Sequence, residues 1–194
     1  MTHDEISLNT KMALAAALKA QMRQKPLKKI TVSDLVADCG MNRKTFYYHF
    51  EDVYALLRWM LEQEAIEVVK QFDLIAEYED AILFVLHYVQ SNTHILNCIY
   101  DGLGREQLRL FFKDDFSALI RSVVDDTIQA QGAHVSEKFK EFLVFDYTEL
   151  MASRLISLLK EKDPEIQKRT AQYISASFLA GLKANLEIGT KNRF

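Results

Sequence analysis

Proline and glycine are scarce in this chain, two and six in 194 residues, which excludes frequent interruption of the backbone and argues for long helices. Cysteine is scarcer still in useful form. Cys39 and Cys98 lie far apart and make no CxxC or Cys/His ligand pattern, so a disulfide and a metal site are both set aside in favour of reduced thiols. No apolar run approaches about 18 residues, and the opening MTHDEISLNT has neither a basic start nor an apolar block. The expectation is a cytoplasmic protein with no membrane segment. Catalytic motifs are missing too: His87, His94, Cys98, Tyr100, Asp101 and Arg105 cluster in sequence, yet there is no nucleophile elbow, phosphate loop, HExxH or paired-carboxylate motif. Neither an enzyme nor a cofactor is expected.

What the chain does have is apolar content, 49%, enough for a substantial core. Its net charge of −3 is unevenly spread. Residues 1–50 hold eight Lys/Arg against four Asp/Glu, and residues 51–194 hold sixteen against twenty-three. A basic N-terminal quarter on an acidic body suits local attraction to phosphate, which is screened beyond about 10 Å.

The most informative stretch lies in that basic quarter, TVSDLVADCGMNRKTFYYHF from Thr31 to Phe50. Thr31 and Asp34 have the spacing of a capping box, Leu35 and Val36 point inward, and Gly40 stands where a left-handed C-cap favours glycine. Asn42 then caps a second helix, Arg43 to Phe50, so the turn is only about three residues long and crosses two helices steeply. Phe46 and Phe50 anchor this helix by one face. Arg43, Lys44, Thr45, Tyr47, Tyr48 and His49 supply donors and planar groups for phosphates and base edges. An ordinary amphipathic surface helix is the competing reading, but cap, turn glycine, anchors and basic face agree at the offsets of a helix-turn-helix.

Through Ile30-Thr31-Val32, Leu35, Gly40, Arg43, Thr45-Phe46-Tyr47, His49-Phe50 and the downstream Leu56-Leu57, the stretch resembles the DNA-binding segment of TetR-family (TetR/AcrR-type) transcriptional regulators. The resemblance implies an all-α fold of about nine helices: a three-helix DNA-binding domain over residues 1–50, and a helical ligand- or partner-binding and dimerisation domain over 51–194. It implies backbone contacts from Thr31, Tyr47 and His49, and base-facing roles for Arg43, Lys44, Thr45 and Tyr48. Asn42 completes the DNA-binding set. Two positions depart from the pattern: Val36 replaces the usual alanine, and Val53 replaces a phosphate-contacting lysine, so one backbone contact per subunit is in doubt. The implied function is a repressor that binds a palindromic operator as a homodimer. The alternative is a helical adaptor whose main partner is another protein.

Beyond the motif, apolar spacing predicts helices at Leu8 to Arg23, Asp52 to Phe72, Glu77 to Gln90, Ile95 to Tyr100, Glu106 to Gln131, Ser136 to Lys160 and Asp163 to Ile188, with Gly189 following the last. The break at Asp101-Gly102-Leu103-Gly104 is the clearest in this half. On the last helix Ser177, Ala180, Gly181 and Ala184 form a strip of small side chains, with Phe178 beside it; it receives an intramolecular neighbour or a second subunit, and the resemblance favours the second subunit. Eight of the twelve phenylalanines fall between Phe72 and Phe145 and either line a cavity or fill a core. His87, Tyr88, His94, Tyr100, Phe112 and Phe145 are the candidate pocket residues for an unidentified small-molecule effector. The compact second half also resembles a TetR-type subgroup that includes regulators associated with dihydroxyacetone kinase genes, where a protein partner can replace the small ligand.

Overall fold

A computed structural model describes residues 2–73 and 77–193, apart from the side chains of Tyr78, Glu79, Phe112, Asp115, Leu159 and Ser175. The described residues form no strand. Among the described residues there are eight helices longer than a single turn, one of which breaks at Gly104, giving nine helical segments in an all-α fold. They gather into two compact units, Met1–Glu67 with Asn92–Gly104, and Val68–Ser91 with Arg105–Phe194. Compactness therefore draws its line later than residue 50 and returns residues 92–104 to the first unit.

In the first unit α1 (His3–Met22) starts five residues before Leu8. The cause is a capping box: the Glu5 N–H donates to the Thr2 hydroxyl at 3.2 Å and the Thr2 N–H donates to the Glu5 carboxylate at 2.7 Å. Pro26 precedes a single 3₁₀ turn, Leu27–Lys29, whose Leu27 is buried along with Ile30. Then follow α2 (Val32–Asp38), α3 (Arg43–His49) and α4 (Val53–Leu61), which Asp52 caps through the Ala55 N–H at 2.8 Å. Leu14, Leu18, Met22, Leu35, Phe46, Leu56, Leu57 and Met60 are fully buried, and each such side chain contributes about 1.5–3 kcal/mol relative to exposure.

After Leu61 the helix widens into a π segment, Glu62–Ile66, and closes with Glu67–Val69, short of the expected end at Phe72. Glu64 of the widened turn pairs with Lys19 of α1 at 2.7 Å. Residues 93–103, α6, pack on the end of α1 and the turn beyond it. His94 Nε2 lies 3.1 Å from the Met22 carbonyl, Cys98 Sγ lies 3.8 Å from the Lys25 carbonyl, and a Cβ at Gly102 would stand 2.9 Å from Leu27 Cβ. Gly104 ends α6 at φ 77° and ψ 167°, a conformation open essentially to glycine alone.

The second unit contains α5 (Tyr78–Ser91), α7 (105–131), α8 (Glu137–Lys160) and α9 (Pro164–Asn192). Ser136 and Asp163 cap α8 and α9 as their positions in the sequence require, and Pro164 takes the first helical position, where a missing N–H costs nothing. Val123 and Val124 of α7, Leu143, Val144 and Tyr147 of α8, and Leu179, Leu182 and Leu186 of α9 form its core. Charge joins α7 to α8 along a partly exposed seam, Arg109 to Glu149 at 2.6 Å and Lys140 to Asp125 at 2.7 Å. The buried Gln167 amide donates to the Leu158 and Glu161 carbonyls at 3.2 and 2.8 Å, closing the end of α8.

Gly189 corrects the sequence reading. It lies inside α9, which runs on to Asn192, and a Cβ there would overlap the Phe139 ring and stand 3.0 Å from Val135 Cγ1. Its absence of a side chain lets α9 lie directly against Phe139. Alanine in a helix interior ordinarily gains about 1 kcal/mol over glycine, but overpacking a contact this close costs about 1–3 kcal/mol. Gly189→Ala is therefore expected to lower stability, read as a lower denaturation midpoint at unchanged slope.

Candidate nucleic-acid interface

The helix-turn-helix is held by backbone and side-chain bonds that follow from its sequence. Thr31 and Asp34 form the expected capping box: the Asp34 N–H donates to the Thr31 hydroxyl at 3.2 Å, and the Thr31 N–H donates to the Asp34 carboxylate at 2.8 Å. At the other end of α2 the Met41 N–H reaches the Val36 carbonyl at 2.8 Å and the Gly40 N–H reaches Ala37 at 3.2 Å, the bond pair of a Schellman turn. Gly40 sits at φ +63°, where a side chain would be strained. Asn42 then accepts the Thr45 N–H at 2.9 Å and starts α3. Cap, turn and cap fix the direction in which α3 leaves.

Phe46 of α3 is fully buried and Phe50, which follows the helix in extended backbone rather than ending it, nearly so, with ring centroids 5.9 Å apart. Phe50 in turn lies 5.8 Å from Trp59 of α4, which places the single tryptophan in packing around the anchor. Turned away from these anchors are Arg43, Tyr47, Lys44 and Tyr48, all exposed, Tyr47 by 51% and Tyr48 by 71%. At about 100° per residue they span an arc of about 140°. Thr45 and His49 border it, half-buried. The arc carries two cations, two phenols and no carboxylate; the nearest acids, Glu51 and Asp52, follow in the next turn.

Thr31 and Lys25, in the turn between α1 and α2, are differently occupied. The Thr31 hydroxyl donates to the Asp34 carboxylate at 2.8 Å while accepting from its N–H, and Lys25 closes on the same carboxylate at 2.7 Å. That ammonium first, then the Thr31 hydroxyl and amide, hold the Asp34 carboxyl down at about 2. Lys25 is thus a structural partner of the cap, a pairing nine residues apart that no local motif announces. Lys28 and Lys29 are exposed. Because the folded value lies below the usual 3.8, the cap's contribution is full above that pH and is lost as the pH falls through about 2. An Asp34→Asn variant should lose this part of the acid dependence, measured as denaturant midpoints at pH 5, 3 and 2 beside the wild type. His49 is pushed below its ordinary value, by burial first and then by Lys11 and His3, so it presents a neutral N–H donor at neutral pH.

The proposed pocket residues divide between the two units. His94 and Tyr100 belong to the first unit, where His94 meets the Met22 carbonyl. In the second unit His87 is exposed beside Ser91, Tyr88 stacks on Phe84 at 6.5 Å, and Phe145 is 58% exposed on the outside of α8. The Phe112 side chain lies outside the described residues. A groove of about 790 Å³ does occur in the second unit, and its described lining includes Lys70, Phe72, Leu119, Ser122, Asp126 and Gln129 but not His87, Tyr88 or Phe145. Both thiols are raised by burial, Cys39 and Cys98 alike.

The small strip on α9 splits between two directions. Ser177, Ala180 and Ala184 are exposed; Gly181 faces its own chain, with a Cβ position 3.1 Å from the Tyr147 hydroxyl, and Phe178 packs edge-on to Tyr147 at 5.2 Å. Two exposed phenylalanines of α8, Phe142 and Phe145, were not included in the sequence-based interface, because helical spacing alone does not distinguish an apolar residue facing the core from one facing outward.

Fold and site together define an all-helical protein with an N-terminal helix-turn-helix. No family model matches the chain. Over 137 residues, 71% of this chain and 72% of the relative, it is 25% identical to the HTH-type dhaKLM operon transcriptional activator DhaS of Lactococcus lactis subsp. lactis (strain IL1403). Its fold is also similar to a solved structure of the dihydroxyacetone kinase operon activator DhaS, with a TM-score of 0.65 and 20% identity, across 93% of this chain and 98% of that one. Both are transcriptional regulators, not enzymes. Among the described residues no helix is long and apolar enough to cross a membrane, and no group of three His, Cys, Asp or Glu side chains is placed to hold a metal ion.

Proposed function

We propose that this chain is a sequence-specific DNA-binding transcriptional regulator of the TetR type, acting in the cytoplasm as a homodimer on a palindromic operator. The observation that carries the reading is the exposed arc Arg43, Lys44, Tyr47 and Tyr48 on a helix whose start is fixed by the Asn42 cap and the Gly40 turn before it. Such an arc has the shape and the donors to enter a major groove. The resemblance alone implied a repressor; the 25% relative is an activator, and activation is the sign we adopt. The second subunit is taken to cover the outward faces of α8 and α9, where Phe142, Phe145, Tyr173 and Ile188 are exposed beside Ala180 and Ala184. Its signal is assigned to residues 51–194, as a small-molecule effector or a protein partner whose preference between two states sets the response. Selection from randomised duplexes at moderate salt tests the reading: a short palindrome with half-sites about 10 base pairs apart should be enriched. Enrichment of nothing would leave the adaptor reading in its place.

A further inference from the structure

We infer that Tyr47 is a positioning residue for Arg43, holding the guanidinium in the orientation from which it reads a base. The inference rests on the DNA-binding reading above and adds which side chain sets its specificity. The arrangement starts in the core. Phe46 has no exposed surface, and the Tyr47 ring stands edge-on to it, centroids 5.6 Å apart at 86°. One turn back, the Arg43 guanidinium lies 5.8 Å over the Tyr47 ring, and its Nη2 donates to the Tyr47 hydroxyl at 3.3 Å. A flexible cation is thus held at two points by a ring that is itself held by a buried one. Among the described residues only one of its five N–H donors finds an acceptor, which leaves the rest of the fork to pair with a base edge. Lys44, its neighbour on the exposed arc, has no such brace among the described residues.

The Tyr47 hydroxyl accepts from Arg43 through a lone pair, and its own hydrogen remains to be donated to a phosphate oxygen. A backbone contact made by that hydrogen would then fix the hydroxyl, and through it the arginine. Tyr47 couples register on the DNA backbone to base choice; Arg43 pays less ordering entropy on binding than an unbraced arginine, a difference of about two- to tenfold for one rotamer-rich side chain.

The test uses the full chain as wild type, Tyr47→Phe, Arg43→Ala and the double variant, with affinities on the selected operator and on operators substituted at each half-site base pair. Tyr47→Phe keeps the ring and removes the acceptor. It should reduce discrimination about two- to tenfold at the position that Arg43→Ala relaxes, with other positions and the melting temperature unchanged, and should change that discrimination no further in the Arg43→Ala background. Loss by one common factor on every sequence would make Tyr47 a plain phosphate contact and overturn the inference while leaving the regulator reading intact. A wild type that discriminates between no sequences would overturn both.

Discussion

Phe145→Glu should convert a dimer into monomers and lower operator affinity by about 10²–10⁴-fold, the factor lost when two linked binding events become separate ones. Phe145 is 58% exposed and Phe142 56%, both on the side of α8 turned from Leu143, Val144 and Tyr147. A monomer rarely leaves such large apolar side chains together in water without a use for them. Because Phe145 lies outside the core, a charge there leaves folding nearly unchanged, within about 0.5 kcal/mol for an ordinary surface position. Ala184→Arg on the exposed face of α9 should act in the same direction. Sedimentation at micromolar concentration gives the readout, with a melting curve to show that the variant is folded. Gly181 is the wrong residue for this purpose: its missing side chain faces the Tyr147 hydroxyl of its own chain, so enlarging it damages the protomer.

The second large effect is expected at Arg43. Its removal should cost about 1–3 kcal/mol of operator binding, roughly 5–150-fold, and relax base preference at one position of each half-site. The exposed position of the guanidinium, braced by Tyr47 and free of any carboxylate partner among the described contacts, makes it the best-prepared base reader on the arc. Titration of Arg43→Ala against the operator and its single-base variants checks this. Loss confined to overall affinity, with base preference intact, would move Arg43 from the bases to the phosphates.

The two halves of the chain were unequally legible, and the reason is the range over which their rules act. Thr31, Asp34, Gly40 and Asn42 state their roles within three or four residues, because caps and left-handed turns are decided locally, and Phe46 and Phe50 mark a buried face by helical spacing alone. The same kind of signal was available at Thr2 and Glu5, where a capping box starts α1 before the first apolar residue of its stripe. Gly189 illustrates the opposite case: a glycine near the end of a periodic stretch satisfies the sequence rule for a helix stop, yet it is small because Phe139, fifty residues away, lies against it. Gly181 and Phe178 were placed in the dimer strip by spacing, and only packing shows that they turn toward Tyr147. Lys25 pairs with Asp34 nine residues on, a partner that no local spacing rule names. The candidates for a pocket come from four helices, and spacing along a helix says which side chains share its face, not which faces of different helices meet.

Sequence-specific recognition of DNA is the claim from which the roles of α3, the dimer and the signal all follow. Its most direct test is the ratio of affinities of the wild-type chain for its selected operator and for a scrambled duplex of the same length and composition at physiological salt. The account predicts a ratio of about 10³ or more. A ratio near one, with both affinities falling together as salt is raised, would show phosphate attraction alone and contradict it.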